Sequence, residues 1–210
     1  MTSDHLIDTN AVTVIGKIVG DKKFSHEIYG EGFYIYHIEI PRLSEVADRL
    51  PLTISDRLLI GEGLKDGDII KVEGQLRSYN KFIDNSNRLV LTIFAKHITF
   101  FEDKKELKNP NRIFLEGYIC KSPIYRETPF GREITDLLIA VNRLYNKSDY
   151  IPTIAWGRNA RFSSNLNVGD KIRIWGRVQS RQYQKKYPDG NIENKVAYEV
   201  SISKMEKVSD

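Results

Sequence analysis

Gly169-Asp170-Lys171-Ile172-Arg173-Ile174-Trp175-Gly176-Arg177-Val178-Gln179-Ser180-Arg181-Gln182-Tyr183 alternates with a period of two. Ile172, Ile174, Gly176 and Val178 fall on one side; Lys171, Arg173, Trp175, Arg177, Gln179, Arg181 and Tyr183 fall on the other. Successive side chains of a strand face opposite ways, so the pattern predicts a half-buried β-strand. Its outer row interleaves cations with aromatic rings. Single-stranded nucleic acid, which offers both negative charge and flat π-faces, suits such a row. A solvated outer face that happens to hold a Trp and a Tyr is the plainer alternative.

The same strand occurs earlier in the chain. Gly67-Asp68-Ile69-Ile70-Lys71-Val72-Glu73-Gly74-Gln75-Leu76-Arg77-Ser78-Tyr79 matches it at an offset of 102 residues, and Gly16/Gly117, Arg42/Arg143, Pro51/Pro152 and Arg57/Arg158 match at 101. A repeat of this length with five strand signals per copy means two copies of one small β domain. The joint is read in the charged run 102–110, closed by Pro110, which gives domains 1–104 and 110–210. In the second copy the predicted strands are 112–120, 133–143, 150–156, 171–186 and 195–204, with a turn at Pro188-Asp189-Gly190 and a short helix over 159–166. Five short strands with a helix after the third predict an all-β chain of two tandem five-stranded OB-fold Greek-key barrels. Periodicity alone does not separate that barrel from other small ones.

Composition narrows the function classes. The longest apolar run, 137–141, is far too short to span a membrane, and residues 1–10 lack the pattern of a secretory signal. A single cysteine, Cys120, excludes an internal disulfide framework and fits the cytoplasm. The four histidines stand at no metal-ligand spacing, so no metal and no cofactor is expected. No nucleophile–base arrangement is legible, and no catalytic residue is assigned. Glu62, Asp66, Asp68 and Glu73 read as turn chemistry and a solvated strand face. Residues 1–109 carry 15 Lys and Arg against 17 Asp and Glu, whereas residues 110–210 carry 17 against 11. A net charge of +4 therefore conceals a basic second half.

Several stretches carry a family resemblance. Asn111-Arg112-Ile113-Phe114-Leu115-Glu116-Gly117, Thr128-Pro129-Phe130-Gly131-Arg132-Glu133, Leu138-Ile139-Ala140-Val141-Asn142-Arg143, Tyr150-Ile151-Pro152-Thr153-Ile154-Ala155-Trp156-Gly157-Arg158 and Ile174-Trp175-Gly176-Arg177-Val178-Gln179-Ser180-Arg181 together resemble the bacterial single-stranded DNA-binding protein family. Val14-Ile15-Gly16-Lys17-Ile18 and Val72-Glu73-Gly74-Gln75-Leu76-Arg77 are fainter traces in the first half, so the chain looks like the two-domain members. The resemblance implies single-stranded DNA as partner, with bases stacked on Tyr145, Tyr150, Trp156 and Tyr183. Arg143, Arg158, Arg177, Arg181, Lys185 and Lys186, beside them in sequence, would neutralise phosphates. The first domain has Ser44, Arg49, Ser55 and Lys81 (or neighbouring Phe82) at the four ring positions. The sequence ends without the family's long acidic-tipped tail, so tail-mediated recruitment of replication enzymes is not implied.

Four stacks contribute roughly 4–12 kcal/mol, against an association cost of about 4–15 kcal/mol. Phosphate contacts and several domains on one strand must then supply the rest, which favours a homo-oligomer, a dimer of two-domain chains. Six phosphate partners predict a salt slope of about −4. The expected function is coating and protecting unpaired DNA in replication, recombination or repair, without catalysis and without a membrane. Residues 110–210 alone are expected to keep most of the binding. The rival readings are a replication accessory that mainly holds proteins and a nucleic-acid-processing enzyme.

Overall fold

The computed structural model describes residues 9–42, 46–59, 61, 63–83, 86–100, 109–187 and 190–209. The first half contributes β1 (Asn10–Ile18), β2 (Lys23–Ile28), β3 (Glu31–Pro41), β4 (Ala47–Ser55), β5 (Ile69–Ile83) and β6 (Ser86–Phe100). The second contributes β7 (Asn111–Ile119), β8 (Ile124–Glu127), β9 (Glu133–Arg143), β10 (Lys147–Trp156), β11 (Lys171–Lys186) and β12 (Ile192–Lys207), with α1 (Arg158–Ser163) after β10. One sheet runs β2-β3-β4-β6-β5-β1-β7-β11-β12-β10-β9-β8. Additional β1–β3 and β7–β9 pairings close each half into a barrel of five strands. β2 and β8 are outlying ribbons, exposed along their whole length. The halves are OB-fold barrels in tandem. Most of the joint read at 102–110 lies outside the described residues.

Alternation fills the two cores. Leu50, Leu52 and Ile54 of β4 point inward, as do Ile151 and Ala155 of β10, and they meet Val72, Leu76 and Ile93 or Ile174, Val178 and Val200. Burying one such side chain contributes about 1.5–3 kcal/mol. Gly16 and Gly117 explain the closure. A Cβ at Gly16 would collide with the Glu39 carbonyl, and one at Gly117 with the Ala140 carbonyl, where the first strand of each barrel crosses the third.

The barrels join through antiparallel pairing of β1 with β7, with Val12 opposite Ile113. Those two residues are repeat equivalents, so a local two-fold axis passes between them. The pair Thr13/Arg112 is accordingly mirrored by Phe114/Ala11, and the bond from Ile15 N–H to Pro110 O (2.7 Å) by that from Glu116 N–H to Thr9 O (2.8 Å). A second junction obeys the same symmetry. Ser78 N–H donates to Asp149 Oδ1 (2.7 Å) and Ser180 N–H to Asp48 Oδ1 (2.8 Å). Both aspartates are buried, and each lies beside an arginine of its own domain. Arg42 Nε donates to Asp48 Oδ2 (2.8 Å), and Arg143 Nε lies 3.1 Å from Asp149 Oδ2. Burial pushes the Asp149 carboxyl above the usual aspartate range, opposed by the Ser78 N–H, Arg143 and Arg77.

Candidate nucleic-acid interface

The outer row of β11 forms as its alternation predicts, with Ile172, Ile174 and Val178 buried behind it. The row is distributed over three grooves, Lys171 lining the one that also holds Tyr145. Trp175 and Arg177 line one with Arg112, and Trp175 packs against Phe114 of β7 at 5.3 Å, with Lys204 Nζ 4.4 Å from its ring. Trp175 is thus a packed ring, lying against its own barrel. Gln179 departs from the expected solvated row. It is buried, and its amide donates to Glu199 Oε1 at 2.8 Å. Beyond it the β11–β12 hairpin projects, with both faces exposed from Arg181 to Lys186.

That hairpin forms one wall of a groove of about 710 Å³, which contains Arg181, Tyr183, Lys185, Lys195 and Tyr198, with Pro152 of β10 and Arg88, Leu89 and Leu91 of β6. The Arg181 guanidinium lies 5.8 Å from the Tyr183 ring and 3.3 Å from Glu199. Lys185 Nζ lies 4.9 Å from the Tyr187 ring, and Lys195 Nζ donates to the Tyr187 hydroxyl at 3.0 Å. Burial raises the Tyr198 hydroxyl above the ordinary tyrosine range. Lys186 alternates onto the face opposite Lys185.

β10 carries Tyr150 and Trp156, 47% and 39% exposed, on the face opposite its core residues. Ile154, between them on that face, is buried. Arg158 follows at the start of α1 and is exposed. Tyr145 occupies the β9–β10 turn, 90% exposed, in a left-handed conformation (φ 62°, ψ 36°). Asn146 beside it is left-handed too (φ 54°), the geometry of a tight turn, which costs an aromatic residue about 1 kcal/mol or more. Tyr145 lines a further groove with Leu144, Arg143, Lys147, Tyr118 and first-domain Arg77. Arg143, expected among the phosphate partners, is engaged by buried Asp149. The expected residues therefore divide among three grooves and the β10 face, and no single row holds all four rings.

At the first domain's equivalent positions Ser44, Arg49 and Ser55 replace three of the rings, and the fourth falls on Lys81 or its neighbour Phe82. Ser44 lies outside the described residues. Arg49 and Lys81 are exposed, as is Phe82. Ser55 is only 6% exposed; its hydroxyl donates to Glu31 Oε1 at 2.5 Å and accepts the Arg57 N–H at 3.1 Å. Tyr36 is core. Tyr34 is engaged by Phe24 edge-on at 5.7 Å and by Lys22 at 4.9 Å.

The other polar features read as structure. Asp66 accepts the Gly20 N–H and Asp68 the Lys65 N–H, each at 2.7 Å, while Glu73 pairs with Lys71 at 2.8 Å; Glu62 lies outside the described residues. Asp136 pairs with Arg126 at 2.8 Å and Glu133 with Arg161 at 2.6 Å. Phe130 stands 92% exposed in the β8–β9 turn. Lys171 and Arg173 donate to Glu116 and hold its carboxyl below the usual glutamate range. Sequence reasoning missed Lys195, Tyr198 and Arg88 of the hairpin groove. Tyr198 stands two residues from buried Val200 on the alternating β12, but nothing in the sequence brings Arg88 across from the other barrel.

Fold and surface together define a tandem OB-fold protein with exposed rings and cations on its second barrel. Residues 110–208 match the family model described as the single-strand binding protein family. The match covers the second barrel and a little under half of the chain. It is 36% identical over 83 residues to the single-stranded DNA-binding protein of Clostridium tetani, covering 36% of this chain and 57% of that one. It is 33% identical over 81 residues to single-stranded DNA-binding protein A of Bacillus subtilis, covering 35% and 47%. The chain spans about half the length of the curated relatives it matches. The crystal structure of the single-stranded DNA-binding protein from Thermus aquaticus superposes with a TM-score of 0.75 at 20% identity, over 96% of this chain and 93% of that one. That likeness extends the tandem fold through the first half. Among the described residues no helix is long and apolar enough to cross a membrane, and no cluster of three or more His, Cys, Asp or Glu is placed to hold a metal.

Proposed function

We propose that the chain binds single-stranded DNA with little regard to sequence and performs no catalysis. The observation that carries this reading is the second barrel's exposed face: Tyr150 and Trp156 on β10 beside Arg158, flanked by the groove of Arg181, Tyr183 and Lys185. Bases stack on the rings and the cations neutralise phosphates, and neither contact reads base identity. Tyr145, on its strained turn, supplies a further ring at the edge of the site. Arg158, Arg181 and Lys185 are the principal phosphate partners, while Lys195, paired with Glu193 at 3.0 Å, holds the groove wall. Arg143 serves the domain junction, and Arg177 and Lys186 lie away from the main groove. Domains 1–104 and 110–210, dimerisation of two such chains and residence in the cytoplasm complete the proposal. It is supported by the relatives, which are named as single-stranded DNA-binding proteins.

Equilibrium titration with oligo-dT and with duplex DNA of equal length tests it. The single strand is expected to bind much more tightly at about 0.2 M salt, because a duplex hides its base faces. Equal binding of the two would reject stacking as the source of affinity.

A further inference from the structure

The first domain lacks rings at the positions equivalent to Tyr150 and Trp156, yet it reaches into the second domain's stacking site. β12 pairs with β10 at Thr153 and Ile154, and the pairing does not extend back to Tyr150. β9 covers the other edge of β10 throughout. At residues 149–150 Ser78, on β5 of the first domain, takes the place that β12 leaves. Its N–H donates to Asp149 Oδ1 at 2.7 Å, and its hydroxyl accepts the Tyr150 N–H at 2.7 Å. Ser78 is buried and Asp149 fully so, which shields both bonds from competing water. In a strand the Cα–Cβ direction follows the backbone, so fixing the 149–150 peptide fixes where the Tyr150 ring stands.

We infer that Ser78 is a positioning residue for the second domain's nucleic-acid site: the first domain sets the Tyr150 ring for base stacking. This rests on the reading of Tyr150 as a base contact. The local two-fold supplies a control inside the same molecule. Ser180 makes the same exchange in reverse, its hydroxyl accepting the Arg49 N–H at 3.2 Å and its N–H donating to Asp48. Ser180 therefore makes a junction of the same form, with a longer and exposed hydroxyl bond, but holds an arginine where Ser78 holds a ring.

The test uses the full chain and oligo-dT titration. Ser78→Ala removes only the hydroxyl; the backbone bond to Asp149 remains, so the junction survives. It is expected to weaken binding about fivefold, the worth of one hydrogen bond, while Ser78→Thr stays near the natural affinity. In a Tyr150→Leu chain Ser78→Ala should have no further effect; in a Tyr183→Leu chain it should keep its full effect. Ser180→Ala should leave affinity within about twofold. Equal losses from Ser78→Ala and Ser180→Ala, or an undiminished loss in the Tyr150→Leu background, would reduce the effect to junction stability and overturn the inference. A Tyr150→Leu chain that binds as tightly as the natural one would remove the base contact itself, and the inference with it.

Discussion

The two barrels share closing glycines, core pattern and an Asp–Ser exchange across their junction, yet they differ at the places that would meet a ligand. Where the second has Tyr150 and Trp156, the first has Arg49 and Ser55. The backbone at these pairs is equivalent. Arg49 N–H is held by Ser180 as Tyr150 N–H is held by Ser78, and Ser55 faces Phe33 as Trp156 faces Ile134. One scaffold thus carries two surface chemistries. Residues that build the barrel persist in both copies, while side chains that point away from it are free to diverge.

The largest expected effect lies at the second domain's rings. Trp156→Ala and Tyr183→Ala in the full chain should each cost about 1–3 kcal/mol of oligo-dT affinity, one stack apiece. Ser55→Ala, buried against Glu31, should leave affinity unchanged. Comparable losses at Ser55 and Trp156 would erase the difference between the domains.

Exchanging the surface chemistries comes next. Arg49→Tyr places a ring on the first barrel where Tyr150 stands on the second. It should strengthen oligo-dT binding by about 1 kcal/mol, the lower bound for a stack. An unchanged affinity would show that the first barrel's face lies off the strand's path.

Salt separates the cations more finely. With Arg158, Arg181 and Lys185 as the phosphate partners, log K against log[salt] should slope at about −2, at roughly −0.7 per phosphate. Lys185→Ala should flatten the slope and Lys186→Ala should not. Equal effects would put both lysines on the strand.

The smallest effect concerns acid. Lys171 and Arg173 depress the folded-state pKa of Glu116, so the stability it contributes is present above the ordinary glutamate range and lost as pH falls through the depressed value. Thermal unfolding followed against pH should show this acid loss in the natural chain and less of it in Glu116→Gln. Identical curves would assign the acid sensitivity to other carboxylates.

Much of the fold was legible because period-two alternation and paired glycines are local signals. β9 and β11 run over the residues their alternation predicts, and β7 starts and ends one residue early. β10 begins at Lys147 rather than Tyr150 because its first residues pair with β9 up to the turn. The helix, read over 159–166, is the six-residue α1, since Ser164 already ends it. The site was legible only in part. Rings transferred by position do stand exposed, but a cation's partner depends on contacts remote in sequence. Arg143 next to the rings reads as a phosphate ligand until Asp149 is seen buried beside it. The junction also changes one expectation. Residues 110–210 in isolation would lack Ser78 and Arg77 around Asp149 and would expose the β7 edge, so the full chain is the proper setting for comparing the domains.

The central claim is that the second barrel's exposed face stacks bases, and the chain's two tryptophans allow it to be measured directly. Trp156 stands on that face; Trp175 is packed on Phe114. In a Trp175→Phe chain, where Trp156 alone emits, saturating oligo-dT is expected to quench most of the fluorescence. If that chain binds with its emission unchanged, while Trp156→Phe retains the quenching, the strand runs over a different face and the account is contradicted.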